Sequence, residues 1–140
     1  MAPASSSARE FLPSYGVPGA AGARARRETI VKVSTGLAQR GLPNASVYSS
    51  SKCAIESLTR AWTTEFGPSG VRVNTVSPGV IVTLGTDAQE PGVLEIIDSI
   101  AADRPGQADE IVSATAFLTT DAAKCVYGAV LPVDGGGLAR

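Results

Sequence analysis

Apolar and polar positions fall into ordered blocks from residue 28 onward. "TIVKVST" (29–35) is β-branched and mostly apolar, the pattern of a strand buried on both faces. "GLAQRGLPNAS" follows as a loop with two glycines and a proline. A helical pattern then runs from about Ser46, placed as its cap, to about Phe66, where Gly67 and Pro68 end it. On that helix Ile55, Leu58 and Trp62 recur at core spacing, and Tyr48, Lys52, Ile55 and Thr59 share a neighbouring stripe. "VRVNTVSPG" (71–79) reads as a second strand, closed by Pro78 and Gly79. Residues 80–106 hold one short helical patch, "VLEIIDSIAA". Residues 108–120 form another amphipathic helix, with Ile111, Ala114 and Leu118 on its buried side. Asp109 and Glu110 fall in its first turn, where negative charge suits the helix dipole. "GAVLPVDGG" (128–136) is a third strand, and no internal repeat is present.

Strand, helix, strand, helix, strand implies parallel pairing through right-handed crossovers, and so an α/β layered fold. Ligands in such sheets bind beyond the carboxyl ends of the strands. Ser34 and Thr35 stand at the end of the first strand, Pro78 and Gly79 at the end of the second. Tyr48 lies in the first turn of a helix that starts on that same side. It is expected to face a crevice shared with Ser34, Thr35 and Thr83.

Composition narrows the chemistry. The chain has 140 residues, 44% of them hydrophobic, which suits one domain with a single core. A net charge of −1 gives no reason to expect a nucleic-acid or anionic-membrane partner. No histidine is present, which excludes Ser-His-Asp and Cys-His catalysis and histidine metal sites. No apolar run approaches the ~20 residues that span a bilayer. Cys53 and Cys125 sit in apolar stretches without metal-like spacing, and are expected to be buried free thiols in a reducing, cytoplasmic compartment. Residues 1–27, rich in Ala, Ser, Gly, Pro and Arg, read as a poorly ordered leader. The glycines at 16, 19 and 22 lack the preceding buried strand that a phosphate-binding loop needs, and are set aside.

"YSSSK" carries the candidate chemistry. Tyr48 and Lys52 are four residues apart, so on a helix they share a face and can converge on one point. A free phenol loses its proton only near pH 10. A cation beside it favours the phenolate, which is how a tyrosine is tuned for proton transfer.

With these blocks in this order, the run from 29 to 137 resembles the C-terminal half of the short-chain dehydrogenase/reductase family. The resemblance rests on the strand ending "VST", the "YSSSK" helix, "VRVNTVSPGVIVT", "RPGQADEIVSATAFL" and "GAVLPVDGG". It implies part of a Rossmann-like, doubly wound parallel sheet, and an oxidoreductase that interconverts a carbonyl and a secondary alcohol with NAD or NADP. Tyr48 matches the tyrosine that gives or takes the proton. Lys52 matches the lysine that assists it and holds the nicotinamide ribose. The family's serine falls at Thr35, thirteen residues before Tyr48, with Ser34 as the reserve. Pro78, Gly79, Ile81 and Thr83 match the loop that touches the nicotinamide and pyrophosphate. Asp134 is expected to fix the turn after the last strand.

The family's glycine-rich phosphate loop, its NAD/NADP-selecting residue and its relay asparagine have no match in this sequence, whose two asparagines are Asn44 and Asn74. The first strand would therefore have an open edge, an invitation to association. A homo-oligomer is expected. A truncated, non-catalytic half-domain that acts through association is the alternative reading.

Overall fold

Three short strands carry the architecture. The computed structural model describes residues 28–83 and 91–139. The leader, the glycines at 16, 19 and 22, and the stretch 84–90 of the expected substrate-covering loop lie outside them. β1 (Thr29–Val33), β2 (Arg72–Pro78) and β3 (Val130–Val133) form one sheet in the order β1-β2-β3. Both pairings are parallel, with Ile30 opposite Val73 and Val76 opposite both Val33 and Leu131. Between the strands run α1 (Ser46–Phe66), α2 (Pro91–Ile97) and α3 (Ala108–Thr119). The α/β expectation is met, and every expected strand and helix is present at shorter or equal length. The patch expected to extend to Ala102 is helical only through Ile97, after which single turns continue the chain.

β2 is the central strand, and Val73 and Val76 on it are fully buried. Val76, Leu118 and Ala123 form the core, with Val31, Ile111, Ala114 and Leu131 packed against it. The buried side of α3 is thus the one its spacing predicts. Its first turn goes further than the dipole argument: Glu110 curls back to accept from the Gln107 amide at 2.8 Å, completing a capping box. Arg104 clasps the same carboxylate at 2.7 and 3.0 Å. Those bonds hold Glu110 down to about 2. The other end of α3 is closed from the sheet. Arg72, only 8% exposed, donates to the carbonyls of Leu118, Thr120 and Ala123.

α1 covers the opposite face, and here three sequence expectations need correction. Its buried residues are Glu56, Thr59 and Phe66, and Leu58 is 43% exposed. The buried stripe is rotated by one position, about 100°, from the one that hydrophobicity selects. The reason is that this interface is hydrogen-bonded. Thr59 and Thr75 share a hydroxyl contact of 2.6 Å, and Thr63 donates to the Val73 carbonyl at 2.9 Å. Ser46 is the first helical residue rather than the cap; Ala45 holds the cap position without a side-chain bond. Cys53 and Cys125 are both exposed, Cys125 in a turn before β3; the Cys53 thiol donates to the Ala38 carbonyl in the adjoining loop.

Lys32 is an unusual feature of this face. Its Nζ is buried without a hydrogen-bond partner and lies 3.6 Å from the centroid of the Trp62 ring. Burial pushes the ammonium down to about 8, and the ring face, which attracts the charged form, works against that. Between about pH 8 and 10.5 the unfolded chain holds a proton that the folded chain has lost, so stability rises with pH across that window. Lys32→Met is therefore expected to raise the urea midpoint at neutral pH, with the advantage shrinking toward pH 10.5. A constant advantage across the window would show that the buried charge is not its source.

Candidate active site

The carboxyl ends of β1 and β2 and the first turns of α1 assemble the site. The Ser34 amide donates to the Val76 carbonyl at 2.9 Å, which carries the parallel pairing one residue past β1. Thr35 is extended, and its side chain accepts from the Leu37 amide at 3.4 Å, starting a single 3-10 turn over Gly36–Ala38. Lys52 reaches back to the strand end, where its Nζ donates to the Val33 carbonyl at 3.3 Å. From there Nζ lies 5.6 Å from the centroid of the Tyr48 ring. Tyr48 is 50% exposed, so its phenol is open to a ligand.

Ser34 is placed differently from Thr35. It is 3% exposed, and its hydroxyl donates to Glu56 Oε1 at 2.9 Å. That turns it into the interface with α1. Glu56 also accepts from Gln39 Nε2 at 3.4 Å on both oxygens. One buried carboxylate thus ties α1 to both the end of β1 and the loop after it. Glu56 sits one turn beyond Lys52 and two beyond Tyr48, a spacing legible in the sequence, but its partners are distant in the chain.

On the β2 side the Gly79 amide donates to the Val133 carbonyl at 3.1 Å. A Cβ on Gly79 would lie 2.7 Å from Asp134 Cα, so only glycine fits where the two chain segments meet. Asp134 fixes its turn as expected, with its two oxygens accepting from the Gly136 and Leu138 amides. Ile81 pairs with Gly106 in an isolated bridge, and Thr83 is exposed at the edge of the described segment. Thr35, Pro78 and Gly79 line one cavity of about 160 Å³. Pro78 and Ile81 line a second, open groove against α3. Tyr48 and Lys52 line neither. The candidate residues therefore gather in two neighbouring groups, a Tyr48/Lys52 pair on α1 and a Thr35/Pro78/Gly79 cavity at the strand ends. No group of three or more metal-ligating side chains occurs among the described residues. None of their helices is long and apolar enough to cross a membrane.

This sheet, with its helices and the site at the strand ends, has the architecture of Rossmann-fold oxidoreductases. A solved structure of a blue fluorescent protein from a metagenomic library, in complex with NADPH, matches with a TM-score of 0.75 and 31% identity, over 78% of this chain and 44% of that one. A 4-hydroxyisoleucine dehydrogenase complexed with NADH matches with a TM-score of 0.72 and 31% identity, over 81% of this chain and 48% of that one. L-xylulose reductase of Bos taurus is 38% identical over 122 residues, 84% of this chain and 49% of that protein. Residues 15–137 match the family described as enoyl-(acyl carrier protein) reductase. The chain belongs to the short-chain dehydrogenase/reductase family. It spans about half the length of the curated relatives it matches.

Proposed function

We propose that this chain carries the proton-transfer and nicotinamide-facing part of an NAD(P)(H)-dependent oxidoreductase that interconverts a small-molecule carbonyl and a secondary alcohol. The observation that supports it best is the position of Lys52, between the Val33 carbonyl at the strand end and the Tyr48 ring. An ammonium has three donors. Lys52 uses one on the fold, which leaves two for ribose hydroxyls. In this reading the residues correspond to the C-terminal half of the family's domain, and they fit the nicotinamide end of the cofactor.

When bound, the nicotinamide supplies or receives the hydride. Tyr48 gives its phenolic proton to the oxygen of the carbonyl being reduced, and takes one back from the alcohol in reverse. Lys52 places positive charge beside the phenol as the proton leaves. The Thr35 hydroxyl donates to the substrate oxygen and so fixes the carbonyl; Ser34, bonded to Glu56, supports the strand end from below. Pro78, Gly79, Ile81 and Thr83 border the nicotinamide. Solved relatives hold NADPH in one case and NADH in another, so both nucleotides belong in the test. Exposed, unpaired Cys53 and Cys125 support a reducing compartment such as the cytoplasm.

A fluorescence titration of the chain with NADPH, and separately with NADH, tests the reading. Saturable binding in the micromolar range is expected, weakened by Lys52→Met. Absence of binding up to millimolar nucleotide would overturn it.

A second reading, association without catalysis, is favoured by the exposed apolar surface. β1 is an edge strand among the described residues, with Val33 49% exposed. Val47 on α1 and Val112 on α3 are more exposed still. This surface supports a homo-oligomer in either reading, and light scattering that shows only a monomer would exclude it.

A further inference from the structure

We propose that Arg40 is an anion-recognising residue of this site, and that the substrate is a short aliphatic oxo acid or the corresponding hydroxy acid; this rests on the oxidoreductase reading above. The cavity that Thr35 lines is otherwise mostly aliphatic, walled by Leu37, Leu42, Ile96 and Ile100. Its volume, about 160 Å³, is close to that of a dry cavity able to hold a benzene ring, so it takes an apolar body of about six heavy atoms. A polyol placed there would bury hydroxyls without partners, at a cost that an alkyl chain avoids.

Two charged residues line the same cavity, and they are not equivalent. Asp134 has both oxygens engaged by backbone amides of its own turn. Arg40 makes one bond, from Nη1 to the Gly137 carbonyl at 3.0 Å, and has no carboxylate partner among the described residues. That bond holds the guanidinium at the cavity while most of its five donors stay available. A planar fork of donors suits a carboxylate in particular. A ligand with its alkyl chain among the leucines and isoleucines and its carboxylate on Arg40 leaves its carbonyl at Thr35, two residues beyond the Val33 carbonyl that Lys52 bonds.

The test is an amide-shift titration of the isotope-labelled full chain, without nucleotide, with α-ketoisocaproate and with methyl isobutyl ketone, which lacks the carboxylate. The acid is expected to move the Thr35, Leu37 and Leu138 amides and to bind about tenfold tighter than the ketone, the scale of one charge-assisted bond. Arg40→Gln is expected to bring the two ligands level. Arg40→Lys, which keeps the charge and loses the fork, keeps part of the preference, and decides the matter should the glutamine variant not fold. Equal binding of the two ligands by the native chain, no binding of either, or an acid preference that survives Arg40→Gln would each overturn the proposal. Because no nucleotide is present, its failure and a failure of cofactor binding are separate results.

Discussion

Phenylalanine at position 48 is expected to remove most of the turnover and to leave the fold intact. The substitution removes one oxygen atom. Tyr48 is half exposed, and its hydroxyl has no hydrogen-bond partner among the described residues, so the folded state loses almost nothing. In the proposed mechanism the phenol is the proton donor, and positioned acid–base groups contribute about 10²- to 10⁴-fold. In any preparation that oxidises NAD(P)H with a carbonyl substrate, the expected fall in kcat is of that order, with an unchanged urea midpoint. Full turnover in Tyr48→Phe would remove the phenol from the mechanism. A shifted midpoint would mean that the loss comes through the fold.

The largest expected stability effect lies at the other end of the sheet. Arg72→Met keeps much of the stem and deletes a guanidinium that three carbonyls share, those of Leu118, Thr120 and Ala123. The Leu118 carbonyl is one of the acceptors that the last turn of α3 leaves open, and the other two belong to the turn that follows it. Arg72 is buried at the first residue of β2, and its bond to the Leu118 carbonyl is buried with it, so replacement water has little access. The Thr120 and Ala123 carbonyls keep their amide partners, from Ala123 and Val126, so the Leu118 carbonyl is the one left unpaired, at a cost of roughly 1–3 kcal/mol. A domain of this size has a margin of about 5–15 kcal/mol. The variant is expected to lose a measurable share of it, read as a lower urea midpoint, and Arg72→Lys to recover only part, since an ammonium lacks the fork. An unchanged midpoint would show that solvent reaches the Leu118 carbonyl after all.

The element order, the parallel pairing and the buried side of α3 were legible because each follows from local spacing. The α1 stripe was not. Hydrophobicity points to Ile55, Leu58 and Trp62, whereas the sheet takes Glu56, Thr59 and Phe66, and a polar helix–sheet contact of that kind shows only once Thr75 and Ser34 are in place opposite. Cys53 and Cys125 misled for the same reason, as apolar neighbours in sequence do not fix which side of an element meets the core. At the candidate site, Tyr48, Lys52 and Thr35 could be read from spacing and resemblance. Glu56, Gln39 and Arg40 could not, since their partners are Ser34, one another, and Gly137 across most of the chain. Gly79 was read as a ligand-facing glycine, and the structure adds a separate reason for it in the close approach of Asp134.

The all-parallel sheet also sets how this chain must fold. No two of the described strands meet as a hairpin. β1 reaches β2 only across residues 34–71, and β2 reaches β3 only across 79–129. Each pairing therefore closes a long loop before any ladder bond forms, and the entropy of closure comes before the reward. Of the elements, only the helices can begin locally, and α1, the longest, is the natural starting point. Until the helices dock on the sheet, Val73 and Val76 of β2 stay uncovered. The interval between collapse and docking is the stretch of time in which two copies of this chain are most prone to find each other.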